Sequence, residues 1–202
     1  METASIAQTK KEAQTDYPIL QLLKDRWSPR TFSDIEPTEQ ELRQLFEAAS
    51  WAASSFNRQP WRYIVARKGT ETYQKIFDCL SDFNQSWATS PVLMLTAYKK
   101  TTDEGDNNFH AMHDLGLSVA TLSIQAQSMG IALHQMAGVD WKAAHKAFDV
   151  PEDYHVTTAI ALGFYGGNAE TLSEDLQKQE QQARSRKDQK DFVFTGTWGE
   201  AF

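Results

Sequence analysis

The chain has little of what several function classes require. Cys79 is the single cysteine in 202 residues, which excludes internal disulfides and multi-cysteine metal sites. No apolar run approaches the roughly 20 residues of a membrane helix; the most apolar segments are Pro91–Tyr98 and Ala159–Tyr165. The opening METASIAQTKKEAQTDY has no apolar core of the kind a secretory leader carries, so a reducing, cytoplasmic home is expected. Basic charge is also short. Against 27 Asp and Glu stand 20 Lys and Arg, a net charge of -7, which argues against a nucleic-acid or anionic-membrane surface. Neither a G-x-G-x-x-G turn nor a G-x-x-x-x-G-K-[ST] loop occurs, and there is no G-x-S-x-G elbow. Gly163-Phe164-Tyr165-Gly166-Gly167 has the wrong spacing for a dinucleotide turn and reads as a strand end.

What is present describes one globular domain with extensions. Residues 1–16 are polar and aperiodic, the pattern of a flexible arm, and 17–202 form a single domain whose composition shifts from about residue 168. Leu20, Leu23 and Trp27 are spaced for one face of a short helix. Thr38 and Glu41 make a capping box, followed by Leu42, Leu45, Phe46 and Ala49 on one stripe. That helix is expected to stop within 52–56. Tyr63–Ala66, Val92–Tyr98 and Val156–Tyr165 read as strands, and Ile131–Leu133 is a short apolar segment. Tyr73, Ile76, Phe77 and Leu80 mark a helix, and Asp140 caps another carrying Trp141, Ala144, His145 and Phe148. The longest periodic segment, His110–Met129, carries Met112, Leu115, Val119, Leu122, Ala126 and Met129 on one stripe and stops at Gly130. Helices and strands mix without strict alternation, which is the α+β class. A polar helix over 174–190 ending in an aromatic strand at Phe192-Val193-Phe194 suits an arm that wraps another surface.

Two arginine groups carry the most chemical information. Arg26 and Arg30 flank Ser28, and Arg184 and Arg186 flank Ser185. Guanidinium groups alternating with hydroxyls suit a phosphate; residue chemistry alone favours a solvated, salt-bridged face. Ser54-Ser55-Phe56-Asn57-Arg58-Gln59-Pro60-Trp61 gathers hydroxyls, amides and an aromatic ring in eight residues. It suits a planar heterocycle with a polar edge, or an ordinary hydrogen-bonded loop. Asn84 and Trp87 repeat that pairing of amide and aromatic. His110 and His113 share a helical face with Asp114 close by, but no further ligand pattern accompanies them, so no metal is expected. Cys79 reads as a packed thiol.

Taken in order, these segments resemble the nitroreductase family of FMN-dependent oxidoreductases. Arg26-Trp27-Ser28-Pro29-Arg30-x-Phe32 is similar to its R-x-S-x-R-x-F signature. Ala52-Ala53-Ser54-Ser55-x-Asn57-x-Gln59-Pro60-Trp61 is similar to A-P-S-S-x-N-x-Q-P-W, and Asn84-x-x-Trp87 with Pro91-Val92-Leu93 to N-x-x-W…A-P-V. Asp114-x-Gly116, Gly130 and His134-Gln135-Met136-Ala137-Gly138 resemble the central helix and the loop behind the flavin. Arg184 and Arg186 fall where the family carries late cations. Ala53 replaces a proline, Ala137 a glutamate found in some members, and Trp87 a lysine found in others.

The resemblance implies a mixed central sheet flanked by helices, a long central helix at a homodimer interface and a C-terminal arm wrapping the partner subunit. It implies FMN as cofactor and NADH or NADPH as electron donor. Arg26, Ser28, Arg184 and Arg186 would hold the phosphate and ribityl end, with Trp27 beside them. Arg30 would approach the N1/O2 edge, where negative charge collects on reduction, and is the one protein group expected to assist the chemistry. Asn84 would bond the pyrimidine edge next to Trp87. Ser54, Ser55, Asn57 and Gln59 would serve the flavin bound to the other subunit, and Gln135, Met136, Ala137 and Gly138 would line the face opposite the substrate. The expected activity is ping-pong hydride transfer through flavin N5 to a nitroaromatic, a quinone or a similar small acceptor. Two alternatives keep the fold: a flavin-dependent oxidase or fragmenting enzyme acting on a bound metabolite, and a non-catalytic flavin-binding dimer.

Overall fold

A computed structural model describes residues 11–202. Four strands, β1 (Trp61–Arg67), β2 (Val92–Lys99), β3 (Ile131–Met136) and β4 (Tyr154–Phe164), form one sheet in the order β1-β2-β4-β3. The helices are α1 (Gln21–Asp25), α2 (Glu39–Ser50), α3 (Glu71–Asp78), α4 (Asp82–Gln85), α5 (Ala111–Ser128), α6 (Trp141–Ala147) and α7 (Glu174–Gln181).

The α+β class is as expected, but all three strand pairings among the described residues are antiparallel, so the sheet is not mixed. The connection between β1 and β2 shows why. The Lys68 amide donates to the Pro91 carbonyl at 2.8 Å. The segment carrying α3 and α4 therefore leaves and re-enters the sheet at the same end.

Both sheet faces are covered, which is why β2 and β4 read as continuous apolar runs. Val92, Met94, Ile160 and Leu162 face Leu42, Leu45 and Ala49 of α2 and Leu115, Val119, Leu122 and Ala126 of α5. Leu93, Leu95, Ala159 and Ala161 face Tyr73 and Ile76 of α3 and Ala144 of α6. Cys79 is buried in this second cluster as a packed thiol. The Thr38 hydroxyl accepts from the Glu41 amide, and the Glu41 carboxylate accepts from the Thr38 amide, so the capping box forms as its sequence requires. The Asp140 carboxylate accepts from two amides of α6 at 3.0 Å.

Several expectations need correction. Helix α2 ends at Ser50, earlier than 52–56, with Trp51 at its C-cap. Leu20 and Leu23 are exposed, so α1 buries no apolar stripe within its own chain. Helix α7 stops at Gln181, because the polar residues beyond it have no core to pack against. Phe192–Phe194 follows a single 3-10 turn and forms no strand; Phe194 makes one isolated bridge, to Ala201. The Met112–Met129 stripe serves the chain's own core through Leu115, Val119, Leu122 and Ala126, whereas Met112 at its head is 65% exposed. Of the expected N-terminal arm, residues 1–10 lie outside the described residues. Residues 11–13 are tied down: the Ala13 amide donates to the Lys24 carbonyl at 2.9 Å and Lys11 sits over the Trp27 ring.

The segment after α1 is fastened to the sheet. Phe32 bridges Tyr165, and the Ser33 amide donates to the Phe164 carbonyl at 3.0 Å. Gly167, at φ +81°, lets this backbone pass, since a Cβ there would lie 2.6 Å from the Phe32 carbonyl oxygen.

Leu122 is fully buried between α5 and the sheet. Leu122→Ala is expected to cost about 2–5 kcal/mol, read from urea unfolding midpoints.

Candidate functional site

Three chain segments converge at one end of the sheet. The 26–30 segment leaves α1, α4 supplies Asn84 with Trp87 just beyond it, and β3 runs out through Met136 to Gly138. Trp87 is only 2% exposed and packs against His134, ring centroids 4.4 Å apart. The Arg30 guanidinium lies 5.7 Å from the Trp87 ring centre. His134 Nδ1 sits 3.0 Å from the Pro29 carbonyl oxygen, which can only accept, so Nδ1 carries the proton. Burial lowers the His134 pKa to about 4, with the Arg30 charge acting in the same direction.

Asn84 Nδ2 donates to the Gly138 carbonyl at 3.1 Å. Gly138 is required for this approach: a Cβ there would meet Ser81 Oγ at 2.5 Å and Asn84 Nδ2 at 2.8 Å. Gln135 and Ala137 are exposed, whereas the Met136 side chain is buried in the core. Met136 can therefore offer only backbone, because the strand alternation turns its side chain inward.

The second feature is a cavity of about 260 Å³ lined by Arg26, Arg184, Ser185, Arg186 and the apolar side chains of Ile19 and Leu23. Arg26 Nη1 donates to Ser28 Oγ at 3.4 Å. Arg184 Nη1 donates to the carbonyls of Lys24, at 2.6 Å, and Lys11, at 2.9 Å, fastening the C-terminal arm onto α1. Among the described residues no carboxylate forms an ion pair with Arg26, Arg184 or Arg186. Burial, and then the neighbouring arginines, hold Arg26 and Arg184 below the usual guanidinium pKa. The third feature is a set of orphaned donors: Trp27 Nε1, Arg30 Nε and Trp87 Nε1 are buried with no partner among the described residues.

The loop over 54–59 lies elsewhere. Its Ser55 amide donates to the Asp114 carboxylate at 3.0 Å, near the N-terminus of α5. Trp27 and the arginine cluster are linked to the C-terminal end of α5 through Tyr165, whose hydroxyl donates to Gln127 Oε1 at 2.6 Å. Thirteen residues of helix separate Asp114 from Gln127, about 20 Å at ~1.5 Å per residue. Ser54, Ser55, Asn57 and Gln59 are thus not brought to the other predicted site residues within one chain. The loop is also strained: Phe56, Asn57 and Gln59 have φ of 51°, 55° and 48°. Non-glycine residues in this region are held there by their surroundings, and such strain gathers at functional sites.

The chain matches the nitroreductase family over residues 23–86 and 81–164. It belongs to that family. An uncharacterized 15.4 kDa protein of Mycolicibacterium smegmatis is 31% identical over 146 residues, covering 68% of this chain and 97% of that protein. A relative in Archaeoglobus fulgidus, provisionally named an NADH dehydrogenase/NAD(P)H nitroreductase, is 23% identical over 155 residues, 72% of this chain and 84% of its own. Among solved structures, an oxidoreductase containing FMN shares the fold with a TM-score of 0.86 at 29% identity, over 98% of both chains.

The pattern of single residues did not reveal Gln179 and Glu180 of α7 as members of this site. Arg30 Nη1 pairs with Glu180 Oε1 at 3.0 Å, Nη2 donates to Gln179 Oε1 at 2.9 Å, and the Arg30 amide donates to Glu180 Oε2 at 3.4 Å. The one available signal was an acid on a short polar helix just ahead of the late arginines. His134, the support beneath Trp87, stood inside a quoted motif without a role of its own.

His134 gives a pH prediction. Its folded pKa lies below the unfolded 6.5, so the folded state excludes a proton that the unfolded chain binds. The stability is fully present above 6.5 and is lost as pH falls toward about 4. Between about pH 7.5 and pH 4 the wild type should lose roughly 3 kcal/mol more than His134→Asn, read by urea unfolding. Equal losses would remove His134 as the titrating group.

Proposed function

We propose that the chain is an FMN-dependent NAD(P)H oxidoreductase that works as a homodimer and reduces a small acceptor such as a nitroaromatic or a quinone. The observation that carries this reading is the group Arg26, Arg184 and Arg186 around one cavity with no carboxylate paired to them among the described residues. Guanidinium groups gathered without acids repel one another unless an anion joins them, and a phosphate dianion suits three forked donors. The buried Arg30 Nε and Trp87 Nε1 fit the same group, as unmet donors for a ring with carbonyl and nitrogen acceptors. The FMN-containing oxidoreductase of the same fold supports the cofactor, and the Archaeoglobus relative supports the donor.

When bound, FMN would supply the two-electron hydride chemistry that links NADH or NADPH to the acceptor. The protein's part is to bind and orient. Arg26, Ser28, Arg184 and Arg186 hold the phosphate. Arg30 would offer Nε, its one guanidinium nitrogen without a partner among the described residues, while Nη1 and Nη2 each donate to α7. Asn84, its Nδ2 held by the Gly138 carbonyl, would be the amide at the pyrimidine edge. Ala137 contributes backbone where a longer residue could have offered a carboxylate. His134 stays neutral at pH 7 and supports Trp87 without adding charge.

The length of α5 supports the dimer reading. One chain holds the arginines near one end of α5 and the 54–59 loop near the other, about 20 Å apart. Two α5 helices packed antiparallel about a twofold axis would bring the loop of each copy to the arginines of the other. Met112, Gly116, Leu117 and Ala120 are exposed along α5, with Phe109 at its head and Phe56 on the strained loop. Exposed apolar surface of this extent fits an interface between copies. No described helix is long and apolar enough to cross a membrane.

Anaerobic titration of FMN-reconstituted protein with NADPH or NADH should bleach the flavin absorbance, and a nitroaromatic or quinone should restore it. A bound flavin that refuses both donors would favour the metabolite-oxidising or storage alternatives. Arg186→Gln should weaken FMN binding about tenfold to a hundredfold while leaving riboflavin binding unchanged. Arg186 is the suitable position because, among the described residues, its side chain bonds only to the adjacent Ser185 carbonyl. A monomeric mass at micromolar concentration would overturn the shared site.

A further inference from the structure

We infer that Glu180 of α7 is the counter-ion that cancels the Arg30 charge at the cofactor edge, so holding the bound flavin at a lower reduction potential than Arg30 alone would set. The inference rests on the FMN reading above and adds a control on that site. Arg30 and Glu180 are 150 residues apart in the chain and meet in a nearly dry contact, with side chains 16% and 7% exposed. Both carboxylate oxygens engage the same residue, Oε1 on the guanidinium and Oε2 on the Arg30 amide. Gln179, one position earlier, takes Nη2. Two neighbours on one short helix therefore fix the guanidinium and neutralise it.

Stability alone is a poor reason for such a pair. Removing both charges from water costs free energy that their attraction often fails to recover, and an apolar pair of similar size is frequently as stable. What a carboxylate does here is electrostatic. A fixed cation beside a group that gains negative charge on reduction favours the reduced form. A carboxylate 3.0 Å from that cation opposes it, and weak screening in a buried contact makes the opposition effective. Around Arg30 the remaining neighbours do not restore the cation. Trp87 lies against the guanidinium, and His134 is neutral. Among the described residues the other cation near Glu180 is Lys11, which interacts electrostatically with both Glu180 and Arg30 and donates to the Gln179 carbonyl at 3.2 Å from a more exposed, better screened position. Glu180 is thus a positioning and charge-balancing residue; it acts through Arg30.

The test is the two-electron midpoint potential of bound FMN in the full-length protein, with FMN affinity and thermal unfolding measured beside it. Glu180→Gln keeps an acceptor for Nη1 and removes the charge. It should strengthen binding of reduced over oxidised FMN about tenfold, raising the potential by about 30 mV. Arg30→Gln should move the potential in the opposite direction, and the double variant should return close to wild type. If Glu180→Gln fails to fold, Arg30→Gln and the double variant isolate the carboxylate, and the double variant should have the higher potential. An unchanged potential in Glu180→Gln, with FMN still bound, would overturn the counter-ion role and leave the oxidoreductase reading standing. A wild type that binds no FMN would overturn both.

Discussion

Leu115, Val119, Leu122 and Ala126 press α5 against the sheet face formed by Val92, Met94, Ile160 and Leu162, and this contact sets the positions of everything else. The burial orients an 18-residue rod across the molecule. At its N-terminal end Asp114 holds the 54–59 loop through the Ser55 amide. At its C-terminal end Gln127 receives the Tyr165 hydroxyl, and Tyr165 stacks on Trp27 to place the segment that carries Arg26 and Arg30. A helix cannot be shortened, so one chain keeps its two groups of candidate site residues about 20 Å apart. The side of α5 that faces away from the sheet exposes Met112, Gly116, Leu117 and Ala120.

Charge is distributed unevenly around the site. Arg26, Arg184 and Arg186 gather around one cavity with no carboxylate ion-paired to them among the described residues, a state that an anion relieves. A few residues away Arg30 is held by Glu180, and the neutral His134 stands behind Trp87. One end of the site is therefore strongly cationic, while the other is close to neutral although it contains an arginine. On an acidic chain, this separation gives the site a polarity suited to a ligand with a charged tail and an uncharged ring.

Local signals in the sequence were readable wherever the physics is local. The Thr38–Glu41 capping box, the Asp140 cap and the αL residue Gly130 formed as their residue types require. Strands β2 and β4 were legible as apolar runs because both sheet faces are covered. Signals that depend on distant partners were not. Met136 belonged to a motif but points into the core, Leu20 and Leu23 were periodic but lie exposed, and the polar stretch after α7 is extended. Glu180 carried no local mark at all, since its meaning is a contact with a residue 150 positions away.

The sequence by itself determined the fold class and the family, because motif order and short-range hydrogen bonding are written in consecutive residues. Only the tertiary structure decided which of those residues meet. It set the loop apart from the arginines at opposite ends of a rigid helix, turned the Met136 side chain inward and gave Arg30 a buried partner. Such outcomes depend on helix length, strand alternation and desolvation across the whole chain. No short window of residues contains them.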